Sequence, residues 1–223
     1  MWKSKRNLSG SASKSRTSSD PGRLGTEYRR FVVVISGPSG AGKSSFVKEL
    51  LRRYPDELAY SVSATTRARR AHETEGRDYF FISRDEFRRH VDANEFVEWA
   101  EVHGEWYGTL RRETERILGS GQNVLLDIDV QGGRSVRKIY PDGVFIFVLP
   151  PTLQSLEERL RARGTDGEER IKVRLENAKR EIELQKEYDY AIVNENLEDA
   201  TRKVAAIIEA EACRTSRQAG KIR

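Results

Sequence analysis

Residues 37–44 read Gly37-Pro38-Ser39-Gly40-Ala41-Gly42-Lys43-Ser44 and follow the apolar run Phe31-Val32-Val33-Val34-Ile35. The spacing G-x-x-x-x-G-K-[ST], set between a buried-strand signal and a helix-like stretch, is a phosphate-binding loop pattern. Glycines at its first and sixth positions let the main chain bend until several N–H groups face one anion. A helix starting near Gly42 adds its positive dipole end. Lys43 has the reach for β- and γ-phosphates, and the Ser44 hydroxyl can ligate Mg²⁺. An ordinary glycine-rich turn needs neither Lys43 nor Ser44.

Three further clusters could do chemistry. The run Val124-Leu125-Leu126 ends in Asp127-Ile128-Asp129. In phosphate-loop enzymes a carboxylate here supports Mg²⁺, directly or through water. Mg²⁺ keeps most of its waters, so one of the two acids suffices, and the spacing does not say which. The competing reading has these acids capping the helix that follows. Thr65-Thr66-Arg67-Ala68-Arg69-Arg70 gathers three guanidiniums in four residues. Such a loop cluster is commonly solvated, yet arginine forks also suit bidentate grips on phosphate, and Tyr79 and Tyr107 could add hydroxyl donors. The stretch Arg159-Leu160-Arg161-Ala162-Arg163-Gly164 is followed by Arg170 and Arg174. It is either a solvated helix face or a set of mobile cations for the charge that spreads over a transferring phosphoryl group. His72, His90 and His103 are scattered, with no metal-site spacing.

The elements that would hold these residues alternate along the chain. Strand 31–36 leads into helix 42–53, where Phe46, Leu50 and Leu51 recur at helical spacing. A polar, turn-rich stretch covers 60–78, a strand 78–82 and a short helix 84–92. Residues 95–109 are aromatic and acidic, with Trp99, Trp106 and Tyr107. Then come helix 110–119, strand 124–126, helix 132–140, strand 144–149, helix 152–163, a long charged helix 167–187, strand 189–193 and helix 196–212. Short apolar strands alternating with helices predict an α/β fold, a parallel sheet flanked by helices on both faces. Ligands of such sheets sit at the carboxyl ends of strands, where the loop at 37–44 and Asp127 and Asp129 both fall.

Composition narrows the function further. Among 223 residues, 37% are hydrophobic and 34% charged, with a net charge of +5. Residues 1–30 carry +6 and residues 213–223 carry +4, so the body between them is acidic. The basic balance therefore sits at the ends and argues against a folded nucleic-acid face. A lone Cys213 forms no internal disulfide. No apolar stretch approaches the ~18 residues that cross a bilayer. Residues 1–25, rich in Ser, Lys and Arg, read as a solvated tail, with a transit peptide as the alternative. The expected location is the cytoplasm, or an organelle under that alternative.

Taken in order, several motifs resemble the guanylate kinase family. They are Gly37–Ser45, Ser61-Val62-Ser63-Ala64-Thr65-Thr66-Arg67, Glu73-Thr74-Glu75-Gly76-Arg77-Asp78-Tyr79, Glu95-Phe96-Val97-Glu98-Trp99-Ala100, Tyr107-Gly108-Thr109, Asp127-Ile128-Asp129-Val130-Gln131-Gly132 and Ile192-Val193-Asn194. The resemblance runs from about residue 31 to 212. It implies the P-loop nucleoside monophosphate kinase fold, with an inserted acceptor-binding subdomain and a lid, and transfer of phosphoryl from MgATP to GMP, and to dGMP. It divides the chain into a disordered basic tail 1–28, a kinase-like domain 29–212 and a basic tail 213–223. Within the domain, the core is 31–60, 110–162 and 178–212, the GMP-binding subdomain 61–109 and the lid 163–177.

Carried over by motif, Ser63, Glu98 and Thr109 would read guanine. Arg67, Arg70, Glu73, Tyr79 and Tyr107 would surround the GMP phosphate, with Asp129 in the same pocket. The loop from Gly37 to Ser45 would hold ATP, with Asn194 near adenine. Lys43, Arg67, Arg163 and Arg174 would be catalytic, and Ser44 and Asp127 would support Mg²⁺. The chemistry agrees: a carboxylate can accept from both N1–H and N2–H₂ of guanine, and adenine offers no such pair of donors. Ala64, Arg69, His72 and Trp106 depart from the family pattern without removing a group the chemistry needs. Two rivals share the fold: a phosphopeptide-binding domain without activity, and a kinase for another phosphate acceptor such as a ribose bisphosphate. ATP and GMP are the expected partners, with no membrane and no specific nucleic acid.

Overall fold

A computed structural model describes residues 28–102, 104–162 and 167–218. In chain order the elements are β1 (Val32–Ser36), α1 (Lys43–Arg53), β2 (Leu58–Tyr60), β3 (Ser63–Thr65), β4 (Phe80–Phe81), α2 (Arg84–Asp92), β5 (Phe96–Val102), β6 (Glu105–Leu110), α3 (Arg111–Gly119), β7 (Asn123–Asp127), α4 (Val130–Ile139), β8 (Val144–Leu149), α5 (Leu153–Ala162), α6 (Glu168–Glu183), β9 (Tyr190–Val193) and α7 (Leu197–Ala212). Short 3₁₀ turns follow α6 at Leu184–Glu187 and α7 at Thr215–Arg217.

Five strands form the core sheet in the order β2-β7-β1-β8-β9, every pairing parallel. Val33 and Ile35 of β1 face a layer built by Phe46 and Leu50 of α1 and Val204 and Ile208 of α7. Val32 and Val34 face the opposite layer, with Ile117 of α3 and Val136 of α4. With both faces covered, the strands read as unbroken apolar runs instead of alternating. The strand most deeply held, β1, is the one that delivers the phosphate loop. A third, smaller core joins Leu156 and Leu160 of α5 to Ala178 of α6.

The segment between β2 and α3 builds a second sheet, β4-β3-β6-β5, in which β3 and β4 are parallel and the other pairs antiparallel. Here the structure departs from the sequence pattern. The turn-rich stretch 60–78 contains β3, and residues 95–109 form most of the β5–β6 hairpin. The strand expected over 78–82 is only Phe80–Phe81. Three-residue strands are too short to show a period, and the hairpin packs aromatic rings on a half-exposed face. Its core is small, with Phe87 of α2 stacked on Phe96 of β5 at a centroid distance of 4.4 Å.

Helix ends shift for local reasons. Leu110 completes β6, so α3 begins at Arg111. Asp129 caps α4 by accepting from the Gly132 N–H at 2.8 Å, which starts that helix at Val130. The end of the long charged helix tightens into the 3₁₀ turn after Glu183. Among the described residues no helix is long and apolar enough to cross a membrane.

Composition assigns 213–223 to a basic tail, but residues 213–218 fold back onto the domain. Gln218 bridges to Tyr28, and the Arg29 N–H donates to the Arg217 carbonyl. Arg217 is buried over the Phe31 ring and pairs with Glu211 at 2.9 Å. Composition hides this contact because one buried ion pair and one ring decide it. The rest of that tail, and the expected tail 1–28 apart from Tyr28, lie outside the described residues.

Asn123 ties the start of β7 to β1. Its Oδ1 accepts from the Phe31 N–H at 3.1 Å, and its Nδ2 donates to the Tyr28 hydroxyl at 3.0 Å. Asn123→Ala leaves a buried N–H without its acceptor. It should lower the unfolding free energy by about 1–3 kcal/mol in a urea titration.

Candidate active site

The loop after β1 is forced into shape by its neighbours. Gly37 has φ 147°, and a Cβ there would stand 2.2 Å from the Val148 carbonyl oxygen. Gly42 caps α1 at φ 91°, and a Cβ there would stand 2.5 Å from Asn194 Nδ2. No side chain caps α1, and no acid occupies its first turn. By contrast Ser83, Asp129 and Asn196 cap α2, α4 and α7. The first N–H groups of α1 thus have no side-chain acceptor from their own cap, the arrangement that binds phosphate.

Each residue of the loop has a defined place. Pro38, Gly40 and Ala41 are buried, while Ser39, Ser44 and Ser45 are exposed. Lys43 curls back so that Nζ donates to the Gly37 carbonyl at 2.6 Å and the Pro38 carbonyl at 3.3 Å. Asn194, at the end of β9, is buried and donates from Nδ2 to the Ala41 carbonyl at 2.8 Å. Arg159 of α5 reaches the same carbonyl at 3.4 Å and the Asn194 carbonyl at 3.1 Å. The sequence reading named Arg159 in the arginine run but gave it no role of its own; it sits one turn before Arg163. Its neighbour Arg161 pairs with Glu157 and Glu168 at the surface.

Asp127 ends β7 beside Ile35 of β1. The Ser44 hydroxyl donates to its Oδ2 at 3.4 Å. Burial pushes the Asp127 carboxyl up, opposed by the Lys43 charge and the Ser44 hydrogen bond. The same Asp127 also lines a cavity of about 190 Å³ on its other side, with Ser63, Tyr79, Glu98, Tyr107 and Asp129 around it. Five of the nine residues expected to bind the acceptor therefore share one cavity with the residue that touches the phosphate loop. Tyr60 lines it too, unflagged by the sequence, and burial raises its hydroxyl pKa.

The second sheet sets one wall of this cavity by register. Ser63 pairs with Thr109, and Thr109 pairs with Glu98, so three strands place these side chains in one row. The register of β5 slips between Phe96 and Glu98. That bulge buries both Phe96 and Val97 and still brings Glu98 opposite Thr109. The Thr109 hydroxyl then donates to Glu98 Oε1 at 2.6 Å.

The arginine loop is organised around Glu73. Its carboxylate accepts from Arg67 Nη2 at 2.7 Å and Nη1 at 3.1 Å, and from the Arg70 N–H at 2.9 Å. These bonds hold the buried Glu73 carboxyl down at about 2. Arg69 donates to the Glu73 carbonyl oxygen, whereas Arg70 is exposed. Arg67 also lies 5.5 Å from the Tyr79 ring, and Tyr79 meets Tyr107 edge-on at 5.8 Å. Ala64 is buried and packs with Phe87, while Trp106 packs against Phe87 and Trp99. Neither lines the cavity. Arg174 lies on α6, and Arg163 lies outside the described residues.

A family model described as guanylate kinase matches residues 29–211. A guanylate kinase of Thermotoga maritima is 52% identical over 191 residues, covering 86% of this chain and 92% of the relative. One from Carboxydothermus hydrogenoformans is 46% identical, covering 85% and 93%. The crystal structure of guanylate kinase from Anaplasma phagocytophilum superposes with a TM-score of 0.69 at 36% identity, covering 88% of this chain and 94% of that one.

The chain belongs to the guanylate kinase family. Residues 212–218, with the buried Arg217, extend past the matched region. An ATP-dependent kinase handles its nucleotide with a metal ion, and the donors here suit one that arrives with the nucleotide. Ser44 and Asp127 offer one hydroxyl and one carboxylate. Among the described residues no cluster of three or more His, Cys, Asp or Glu could hold a metal alone.

Glu98 is chemically the most constrained group in the cavity. Burial pushes its carboxyl up to about 7, with the Asp129 charge adding to the rise and the Thr109 hydrogen bond opposing it. Gly132 admits this packing, since a Cβ there would stand 3.1 Å from Glu98 Oε2. The raised value works against folding as pH increases. Below the unfolded value of 4.5 both states are protonated and nothing is lost. Between 4.5 and about 7 the unfolded chain ionises first, and stability falls. Glu98→Gln should therefore raise the unfolding free energy by up to about 3 kcal/mol at pH 8 and by little at pH 4. Denaturant titrations at the two pH values measure the difference.

Proposed function

We propose that this chain transfers the γ-phosphoryl group of ATP to GMP, giving ADP and GDP, and that dGMP is a second acceptor. The observation that carries the reading is the position of Asp127, which touches Ser44 on one side and lines the acceptor cavity on the other. A donor phosphate on the loop and an acceptor phosphate in the cavity then face each other across one side chain. The contacts proposed below go to base and phosphate, which supports dGMP as an acceptor.

In this reading Ser63, Glu98, Thr109 and Asp129 recognise guanine. The Glu98 carboxylate accepts from N1–H and N2–H₂, one on each oxygen, and the Thr109 hydroxyl holds Oε1 in place. Arg67, Arg70, Tyr79 and Tyr107 hold the acceptor phosphate, with Glu73 keeping Arg67 oriented. The main chain from Gly37 to Ser45 cradles the ATP phosphates, Lys43 turns from the loop carbonyls to the β- and γ-oxygens, and Asn194 supports the nucleotide from behind the loop. Ser44 and Asp127 would hold Mg²⁺, directly or through water, and the ion would supply positive charge to the ATP phosphates. The acceptor oxygen is already ionised near neutral pH, so the chain needs to position and neutralise more than to deprotonate. Arg163 and Arg174 belong to a lid, 163–177, that closes with the acceptor subdomain, 61–109, and excludes water. The reaction is placed in the cytoplasm.

A coupled assay of ADP formation with GMP, dGMP, AMP, UMP and a ribose bisphosphate should show turnover with the two guanine nucleotides. No turnover with GMP would overturn the proposal. Lys43→Met should abolish turnover and leave GMP binding nearly intact by calorimetry. A variant that still turns over would remove Lys43 from its role.

The raised Glu98 pKa gives a signed pH effect. Only the ionised carboxylate accepts both guanine donors. GMP affinity should therefore fall about tenfold per pH unit below 7. Glu98→Gln should weaken GMP far more than ATP and flatten that slope, apart from the titration of the GMP phosphate itself. Equal losses for both nucleotides would remove base reading from Glu98.

A further inference from the structure

The acceptor cavity is lined from both sheets, and the two contributions differ in kind. Ser63, Tyr79, Glu98 and Tyr107 lie on or beside the second sheet, whereas Tyr60, Asp127, Ile128 and Asp129 come from the core sheet and the loop after β7. Of these four core-side residues two are acids and one is apolar. Among the described residues the Tyr60 hydroxyl is therefore the one side-chain donor that the core gives to this cavity. The core side is also the side in touch with the phosphate loop, through Ser44 and Asp127.

Register aims the Tyr60 ring. Tyr60 ends β2 and pairs with Leu125 of the parallel strand β7. Leu125 and Asp127 are two residues apart and share a face of the sheet, so Tyr60 shares that face with Asp127. The ring packs against the core cluster that holds Leu125, while the residue lines the cavity. Its hydroxyl makes no hydrogen bond to a described residue, yet it is not sealed in as the hydroxyls of Tyr140 and Tyr188 are. Burial, then the charges of Asp127, Tyr79 and Glu98, oppose loss of its proton, so it stays a donor.

We infer that the Tyr60 hydroxyl donates to a phosphate oxygen of the GMP acceptor and ties that phosphate to the sheet that carries the phosphate loop. This contact rests on the acceptor pocket proposed above and adds to it a grip from the core side. Asp127 and Tyr79, which act on the hydroxyl ahead of Glu98, belong to the phosphate end of the pocket and not to the guanine row. A neutral donor suits the position. An arginine there would pair with Asp127 and cancel the charge that a metal ion needs, whereas a phenol holds an oxygen beside the carboxylate and leaves its charge intact. Only Ser61 and Val62 separate Tyr60 of β2 from Ser63 of β3, so a GMP held by both residues bridges the two sheets across their shortest link.

Calorimetry of the full chain with GMP and with guanosine, which lacks the phosphate, tests the contact. Tyr60→Phe keeps the ring and removes the donor. GMP should bind this variant about tenfold more weakly, with guanosine and ATP within about twofold of the unsubstituted chain. The KM for GMP should rise by the same factor. Unchanged GMP affinity in Tyr60→Phe overturns the inference. So does an equal loss for guanosine, which would put the hydroxyl on ribose or base, or an equal loss for ATP, which would make Tyr60 a support for Asp127. Failure of the unsubstituted chain to bind GMP would instead remove the acceptor pocket, and this contact with it.

Discussion

The start of α1 combines two features: its cap is a glycine without a side-chain acceptor, and its first turn carries no acid. Its first N–H groups are left to water or to an outside acceptor, and the rest of the architecture keeps them in place. β1 is clamped between β7 and β8, so the loop cannot slide. Asn194 and Arg159 converge on the Ala41 carbonyl from elements far away in sequence. They fix the peptide just before the open N–H groups. Lys43 rests on the loop's own carbonyls, hydrogen-bonded with its charge kept.

The same logic of stored disadvantage recurs at Glu98. A half-enclosed carboxylate near Asp129 is poorly solvated, and the hydroxyl of Thr109 relieves only part of that burden. A guanine edge would relieve the rest. Glu73 shows the opposite arrangement, a carboxylate so well surrounded that it serves as an anchor for Arg67. One acid, on strand β5, is left with a single hydroxyl partner, and the other, in the arginine loop, is saturated.

Much of this could be read from residue order. The octapeptide 37–44 and the apolar run before it identify the loop, and the strand ending in Asp127 locates its partner, because buried parallel strands and phosphate loops leave strong local patterns. The choice between Asp127 and Asp129 was not legible. One oxygen meets Ser44 and the other acid caps α4, a distinction set by where β7 stops. Of the second sheet only the strand containing Phe80 and Phe81 was legible from the residues, and the resemblance gave a subdomain without its strands, since β3 is too short to show a period. Arg159 stood in an arginine run open to two readings, and Arg217 in a basic tail. Their partners lie 118 residues away in the first case and, through Asp142, 75 in the second. Contacts of that span leave no local trace.

The slip in β5 between Phe96 and Glu98 joins the two sheets. Phe96 pairs with Leu110 and Glu98 with Thr109, so Val97 is the extra residue of the bulge. Phe96 packs into the small core of the second sheet, while Val97 enters the core of the main sheet beside Ile117 and Val136. Without Val97 the Glu98–Thr109 pair could persist, but the hairpin would lose its hold on the main sheet, so one unpaired residue acts as the rivet between the two layers.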